Sequence, residues 1–222
     1  MNESVVSYYN QIAPEYDRDR FGNSYGQFID YQEQRLLRSW RVTPSGTVDL
    51  ACGTGRLTHF AQMGIDASEE MLTRARKRHP GKRFILASAQ ETTLEASGVE
   101  TVICFHLMMH LEEALIGEIL QEVHRILQPG GRFIVDFPSA RRRSLFRRKR
   151  ESWHGSTAMD RQELAGLCAS LFSVKRSHGI MMLPVHRLPG ALRRAAKGID
   201  YALCGSALKP YSSYVVYELT KR

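Results

Sequence analysis

The chain has 222 residues, 43% hydrophobic and 24% charged, with a formal net charge of +8. That length suits one large α/β domain and is hardly enough for two, and the composition is that of a globular protein with a full core. The charge favours acidic partners (nucleic acid, anionic lipid or an anionic metabolite) without choosing among them.

In chain order, residues 3 to 40 read as helices around an irregular joint, with breaks at Pro14 and at the Gly/Asn/Ser cluster of 22 to 26. The start "MNESVVSYYN" has no basic segment followed by an apolar run, so no leader peptide is expected, and no apolar run approaches a membrane span. Asp17 and Arg20 read as a solvated surface pair. "TVDLA" after Gly46 has the form of a strand buried on both faces. "SEEMLTRARKRH" predicts a helix capped by Ser68. "KRFILASA" and "VETVICFHLMM" predict two further strands, and "LEEALIGEILQEVHRILQPGG" a helix ending in Pro-Gly-Gly. "GRFIVDFP" is the next buried strand.

Past 139 come a basic run (Arg141, Arg142, Arg143, then Arg147, Arg148, Lys149, Arg150), a helix near Asp160, and the strands "FSVKRSHGI" and "SSYVVYELT". The stretch between those strands is too long for a hairpin loop and predicts a helix of its own. Alternating strands and helices predict a doubly wound, mostly parallel sheet with right-handed crossovers, closed by an antiparallel edge. The four cysteines, Cys52, Cys104, Cys168 and Cys204, are scattered, which predicts reduced thiols in a cytoplasmic protein.

The turn after the first strand, Ala51-Cys52-Gly53-Thr54-Gly55, is where such a fold binds ligands. Its glycines let the backbone approach a ligand closely. It is not a phosphate loop, because no Gly-Lys-Ser/Thr follows, and it does not fit G-x-G-x-x-G. Gly55 and Asp66 are eleven positions apart, so the first crossover has room for a helical turn or two at most.

"VDLACGTG" resembles motif I of the class I S-adenosylmethionine-dependent methyltransferases, and "GIDASEEML" resembles their second motif. "FILASAQETTL", "VETVICFHLMMHL" and "ILQEVHRILQPGGRFIVDF" fall where that family has its third, fourth and fifth strands, and "YYNQIAPEYD" resembles the lid helix of the branch containing quinone C-methyltransferases and related small-molecule methyltransferases. The resemblance implies a Rossmann-like α/β fold with seven strands. One domain would fill residues 1–222, with lid helices in 1–45, a cofactor-binding core in 46–138, and a C-terminal part, 139–222, whose segment 180–211 caps the substrate side. It implies S-adenosyl-L-methionine as cofactor and a methyl acceptor as partner.

Residue by residue, the resemblance has Asp49 orient the turn and hold the methionine ammonium group, with Ala51, Cys52, Gly53, Thr54 and Gly55 passing under the cofactor. Asp66 would accept the ribose hydroxyls. Ala67 and Met71 would flank adenine or ribose, and Ala89 would offer its backbone N–H to adenine. Phe105 and His106 would point toward the methionine and the substrate. Ser88 stands where the family often has an acid for the adenine amino group, a role that Gln90 could share.

Methyl transfer from a sulfonium proceeds by in-line displacement and needs a base only when the nucleophile starts protonated. His110, Tyr16 and Tyr9 are the candidate catalytic residues, with packing as the competing role for each. His106 and His110, four apart, lack a third ligand, so no metal is expected. The acceptor is expected to be a small molecule, acidic or lipophilic. A tRNA or rRNA methyltransferase using the basic run and a non-catalytic domain are the alternatives. Against RNA, "CFHLMMH" is not the Asn/Asp-Pro-Pro-Tyr/Phe motif of amine methylation, and no RNA-binding domain is visible.

Overall fold

Thr47–Leu50 is buried at every position and forms β1, an interior strand of a seven-stranded sheet. The computed structural model describes residues 3–145 and 157–222, so Arg147, Arg148, Lys149 and Arg150 of the basic run lie outside the described residues. The other strands are β2 (Met63–Asp66), β3 (Arg83–Leu86), β4 (Val99–Cys104), β5 (Leu127–Pro138), β6 (Phe172–Ile180) and β7 (Tyr214–Lys221), in the spatial order β3-β2-β1-β4-β5-β7-β6. β1 to β5 run parallel, and the antiparallel pairings of β7 with β5 and β6 close one side. The order reverses between β1 and β4, which puts the ligand crevice of such a sheet at their carboxyl ends.

The helices are α1 (Glu3–Ile12), α2 (Tyr16–Phe21), α3 (Ser24–Ser39), α4 (Glu69–Arg78), α5 (Glu113–Ile126), α6 (Ala140–Leu145), α7 (Arg161–Leu167) and α8 (Gly190–Gly205). Ser68 caps α4 by accepting the Met71 N–H at 3.2 Å, and Asp160 and Glu163 form a reciprocal cap on α7. Side chains alternate along the strands as a two-residue repeat requires. Phe133, Val135 and Phe137 of β5 face α5, where Ile116, Ile119, Leu120 and Val123 cover them, and Ile134 faces α3.

The short first crossover is real. Between β1 and β2 the chain makes only a 3-10 turn, Thr58–Phe60. The sheet face that a crossover helix would cover is filled by α3, whose Phe28, Ile29, Leu36 and Leu37 pack with Leu57 and Phe60 against Ile103 and Ile134.

One boundary differs from expectation. α5 stops at Ile126 and does not run on to the Pro-Gly-Gly, because buried Leu127 already pairs with Val99 in the sheet. Pro129 and Gly130 form an exposed, irregular start to β5, with Gly130 at φ +73° and a register shift opposite Val99/Thr101. Among the described residues, no helix is long and apolar enough to cross a membrane.

Candidate functional site

The turn leaving β1 holds three residues in the left-handed region: Ala51 (φ +56°), Gly53 (+54°) and Gly55 (+78°). The two glycines serve different ends. A Cβ on Gly53 would meet nothing within 4 Å, so this backbone is bare toward the crevice, whereas one on Gly55 would press within 3.2 Å of Ala75 in α4. Asp49 lies beneath the turn, accepting the Thr58 hydroxyl at 2.6 Å. Burial pushes its carboxyl up to about 7, and the Thr58 bond only partly offsets that. Asp66, at the end of β2, accepts the Gly53 N–H at 2.8 Å and the Ser68 N–H at 2.9 Å. Burial raises its carboxyl too, against those backbone donors.

Above the turn is a cavity of about 50 Å³. Asp49, Ala51, Cys52, Gly53, Thr54, Phe105, His106 and Tyr16 border it, together with Phe21, Arg56 and Leu57. Gly55, Asp66, Ala67, Met71, Ser88, Ala89, Gln90, Tyr9 and His110 do not border it. Met71 and Ala89 are buried in the core, and a side-chain oxygen of Gln90 is buried without a hydrogen-bond partner.

The roof is α1 and α2. Asp17 accepts the Thr54 hydroxyl and an Arg78 N–H, both at 2.6 Å; Ser68 donates its hydroxyl to Asn10 at 2.6 Å. Tyr9 and His110 meet at 3.0 Å between hydroxyl and Nε2. Asp17 and Arg20 are therefore not a solvated pair: Asp17 fastens α2 to the turn, and Arg20 lies among Tyr16, Tyr25 and Tyr214. Two tertiary partners, Thr54 and Arg78, outcompete water for a carboxylate that local sequence leaves exposed.

A buried charged layer backs this site. Arg56 donates to Asp30 and Glu33 of α3, each at 2.6 Å, while its guanidinium lies 4.2 Å from the Phe21 ring centre. His106 Nε2 approaches Glu33 to 2.7 Å and Nδ1 lies 3.6 Å from Asp136, neither aligned as a hydrogen bond. Burial alone would raise the Glu33 carboxyl, but Arg56 and His106 outweigh it and hold it at about 2. Asp136 accepts the His106 backbone N–H at 2.7 Å, which steadies His106 at φ +61° where a side-chain-bearing residue is strained. Asp30, Glu33, Arg56 and Asp136 escaped the sequence reading. Their signals were an acid inside the apolar stripe of α3 and one carboxylate within "FIVDF".

A sequence model described as a methyltransferase domain matches residues 48–135, the segment from β1 to β5. That segment, about two fifths of the chain, is similar to the methyltransferase-domain family. The chain is 29% identical over 149 residues to a ubiquinone/menaquinone biosynthesis C-methyltransferase of Campylobacter jejuni, covering 60% of this chain and 63% of that protein. It is 31% identical over 145 residues to a demethylmenaquinone methyltransferase of Symbiobacterium thermophilum, covering 59% and 57%. The chain thus spans less than two thirds of these curated relatives. Among solved structures, a Thermotoga maritima S-adenosylmethionine-dependent methyltransferase superposes with a TM-score of 0.72 at 19% identity, covering 96% and 98% of the two chains. The Synechocystis magnesium protoporphyrin IX methyltransferase with bound S-adenosylhomocysteine gives 0.66 at 15%, covering 98% of each. These two likenesses concern the fold.

The cofactor of this family is S-adenosylmethionine, and the floor of the site fits it: a bare glycine backbone lies between two carboxylates at adjacent strand ends. The space fits only with the roof displaced, since ligand sites of this size class occupy roughly 300–1,000 Å³.

Proposed function

We propose that this chain transfers the methyl group of S-adenosylmethionine to a small lipophilic acceptor bearing a hydroxylated ring, a reduced form of the quinone class that the names of its curated relatives point to. The observation that carries the reading is the aromatic roof over a methyltransferase floor. Tyr16 and Phe21 border the cavity at the turn, and Tyr9 reaches His110 at 3.0 Å just behind them. A flat apolar ring fits such walls by edge-to-face and offset contact.

When bound, the cofactor supplies an electrophilic methyl carbon on a sulfonium, open to in-line displacement. Asp66, which accepts the Gly53 and Ser68 N–H groups, would hold the ribose hydroxyls. Asp49 would hold the ammonium group, whose charge would favour the ionised carboxylate over the protonated form that burial favours. Phe105 and Leu57 keep the crevice apolar, which excludes water from the reacting centre. His110 takes the acceptor's hydroxyl proton, and the Tyr9 hydroxyl orients its ring.

A labelled-methyl assay over quinols, catechols and small acids tests the proposal. Transfer to a quinol is the expected result, and saturable transfer to tRNA with none to the small acceptors would replace the reading. His110→Gln should slow turnover by about 10²–10⁴-fold with S-adenosylhomocysteine affinity unchanged. Undiminished turnover in that variant would move the base elsewhere.

A further inference from the structure

α8 is a 16-residue helix whose two sides differ sharply. Its inner side is tied down by one acid. Asp200, fully buried, accepts from the Gln32 side chain of α3 and from the Leu183 N–H, while Gln32 accepts the Met181 N–H at 2.7 Å. Cys204, one turn on, is buried beside Ser212. These contacts fix the rotation of the helix about its axis, so the side facing outward is set by the fold.

That outward side is apolar. Leu192 is 59% and Ile199 58% exposed, and Ala195 and Ala202, which complete an i, i+3, i+7, i+10 stripe, are exposed as well. Asp200 is the acid of this helix and is turned inward, so the exposed stripe carries no negative charge. Cations fringe it: Arg187 and Arg194 are exposed, and Lys197 lies over the ring of Tyr31 at 4.6 Å. Leu208, just past the helix, is also exposed. An outward apolar stripe on a rigidly held helix marks an interaction surface.

We infer that α8 docks this protein on an anionic membrane surface, laying the Leu192–Ala195–Ile199–Ala202 stripe into the headgroup boundary with Arg187 and Arg194 against lipid phosphates. A second copy of the chain fits the stripe less well. Sixteen residues at 1.5 Å rise give a strip about 24 Å long and about 10 Å wide, or roughly 240 Å². A stable dimer buries about 800 Å² per partner. A bilayer sets no such minimum, because a shallow apolar face and a cationic fringe act together there, and the net charge of +8 adds to the attraction. Docking stands on α8 and does not require the methyl-transfer reading. If both hold, the helix that anchors α8, α3, carries the site to the phase where a lipophilic acceptor dissolves.

Sedimentation with vesicles tests the inference on the full chain. Binding is expected to phosphatidylcholine vesicles containing phosphatidylglycerol, weaker to phosphatidylcholine alone, and reduced by salt. The pair Leu192→Glu/Ile199→Glu should weaken binding at least about tenfold. Its thermal unfolding followed by circular dichroism should match the parent, since both side chains are mostly exposed. As a second variant that leaves the apolar stripe intact, Arg187→Gln/Arg194→Gln should lose the preference for phosphatidylglycerol. The inference is overturned by absence of vesicle binding in the parent, by equal binding in the glutamate pair, or by a dimer in sedimentation velocity that the glutamate pair dissolves while vesicles go unbound. Calorimetry with S-adenosylhomocysteine reads the cofactor assignment separately, and vesicle binding without cofactor binding still supports the docking surface.

Discussion

On its α5 side the sheet meets Ile116, Ile119, Leu120, Val123 and Ile126, and the acid Glu122, buried as well, is held by Thr92 and by Arg125, whose side chain is exposed. On its α3 side the same kind of apolar packing runs up to Asp30, Glu33, Arg56, His106 and Asp136, with Glu33 and Asp136 almost wholly buried. Both faces hold the sheet, but only the second places charge at the carboxyl ends of β1, β4 and β5. Buried ion pairs seldom outperform apolar packing of the same volume. Their concentration at this end fits a region shaped for a ligand and not for stability alone.

Removing the cation is the strongest way to test that difference. Arg56→Met should cost about 3–5 kcal/mol in urea denaturation, because it leaves Glu33 and Asp30 without their partner in a dry setting. Ile119→Val on the other face should cost about 0.5–1.5 kcal/mol. Equal losses would mean that the charged layer is no more than packing.

The second test uses pH, because two carboxylates of the charged end titrate in opposite senses. Asp49 keeps its proton up to about 7 in the folded chain, whereas an unfolded aspartate loses it near about 3.9. The folded state binds the extra proton between those values, so stability falls as pH rises through that window and levels off above it. Glu33 does the reverse: held at about 2, its contribution is complete above about 4.3 and is lost as pH falls toward 2. Asp49→Asn should remove the falling limb, gaining about 2–4 kcal/mol on the parent between about pH 4 and 7 in denaturation curves. Parallel pH profiles for parent and variant would show that Asp49 is ionised at neutral pH.

The smallest expected effect lies in the roof. Asp17→Asn weakens a half-exposed pairing with Arg78, of the kind that contributes about 0.2–1 kcal/mol. If the roof must lift to admit the cofactor, stopped-flow association of S-adenosylhomocysteine should quicken by up to about fivefold. A slower association would instead make Asp17 part of the binding surface.

The strands were legible because their signal is local. Residues that alternate or run apolar over four to eight positions have few other uses, and "FSVKRSHGI" reappears whole as β6. The short crossover is legible as well, in the eleven positions from Gly55 to Asp66. The charged layer was not legible for the opposite reason. Asp30 and Glu33 sit one turn apart on α3, where acids ordinarily face water, and Arg56 is more than twenty residues further along the chain. Nothing in either segment alone announces the meeting. The end of α5 misled in the same way, since Pro-Gly-Gly punctuates a helix convincingly until Leu127 is seen to have a place beside Val99.

The substitution of α3 for a crossover helix has a consequence in time. A crossover helix is synthesised between the strands it covers, whereas α3 is complete before β1 has been translated. From Ser39 to Cys104, ribosomes adding about 5–20 residues per second need roughly 3–13 s. Through that interval Phe28, Ile29, Leu36 and Leu37 have emerged or are emerging while Ile103, on which they will rest, does not yet exist. The nascent chain therefore shows the apolar face of α3 to its surroundings before the strand that will cover it exists, and that interval is when this face is open to aggregation.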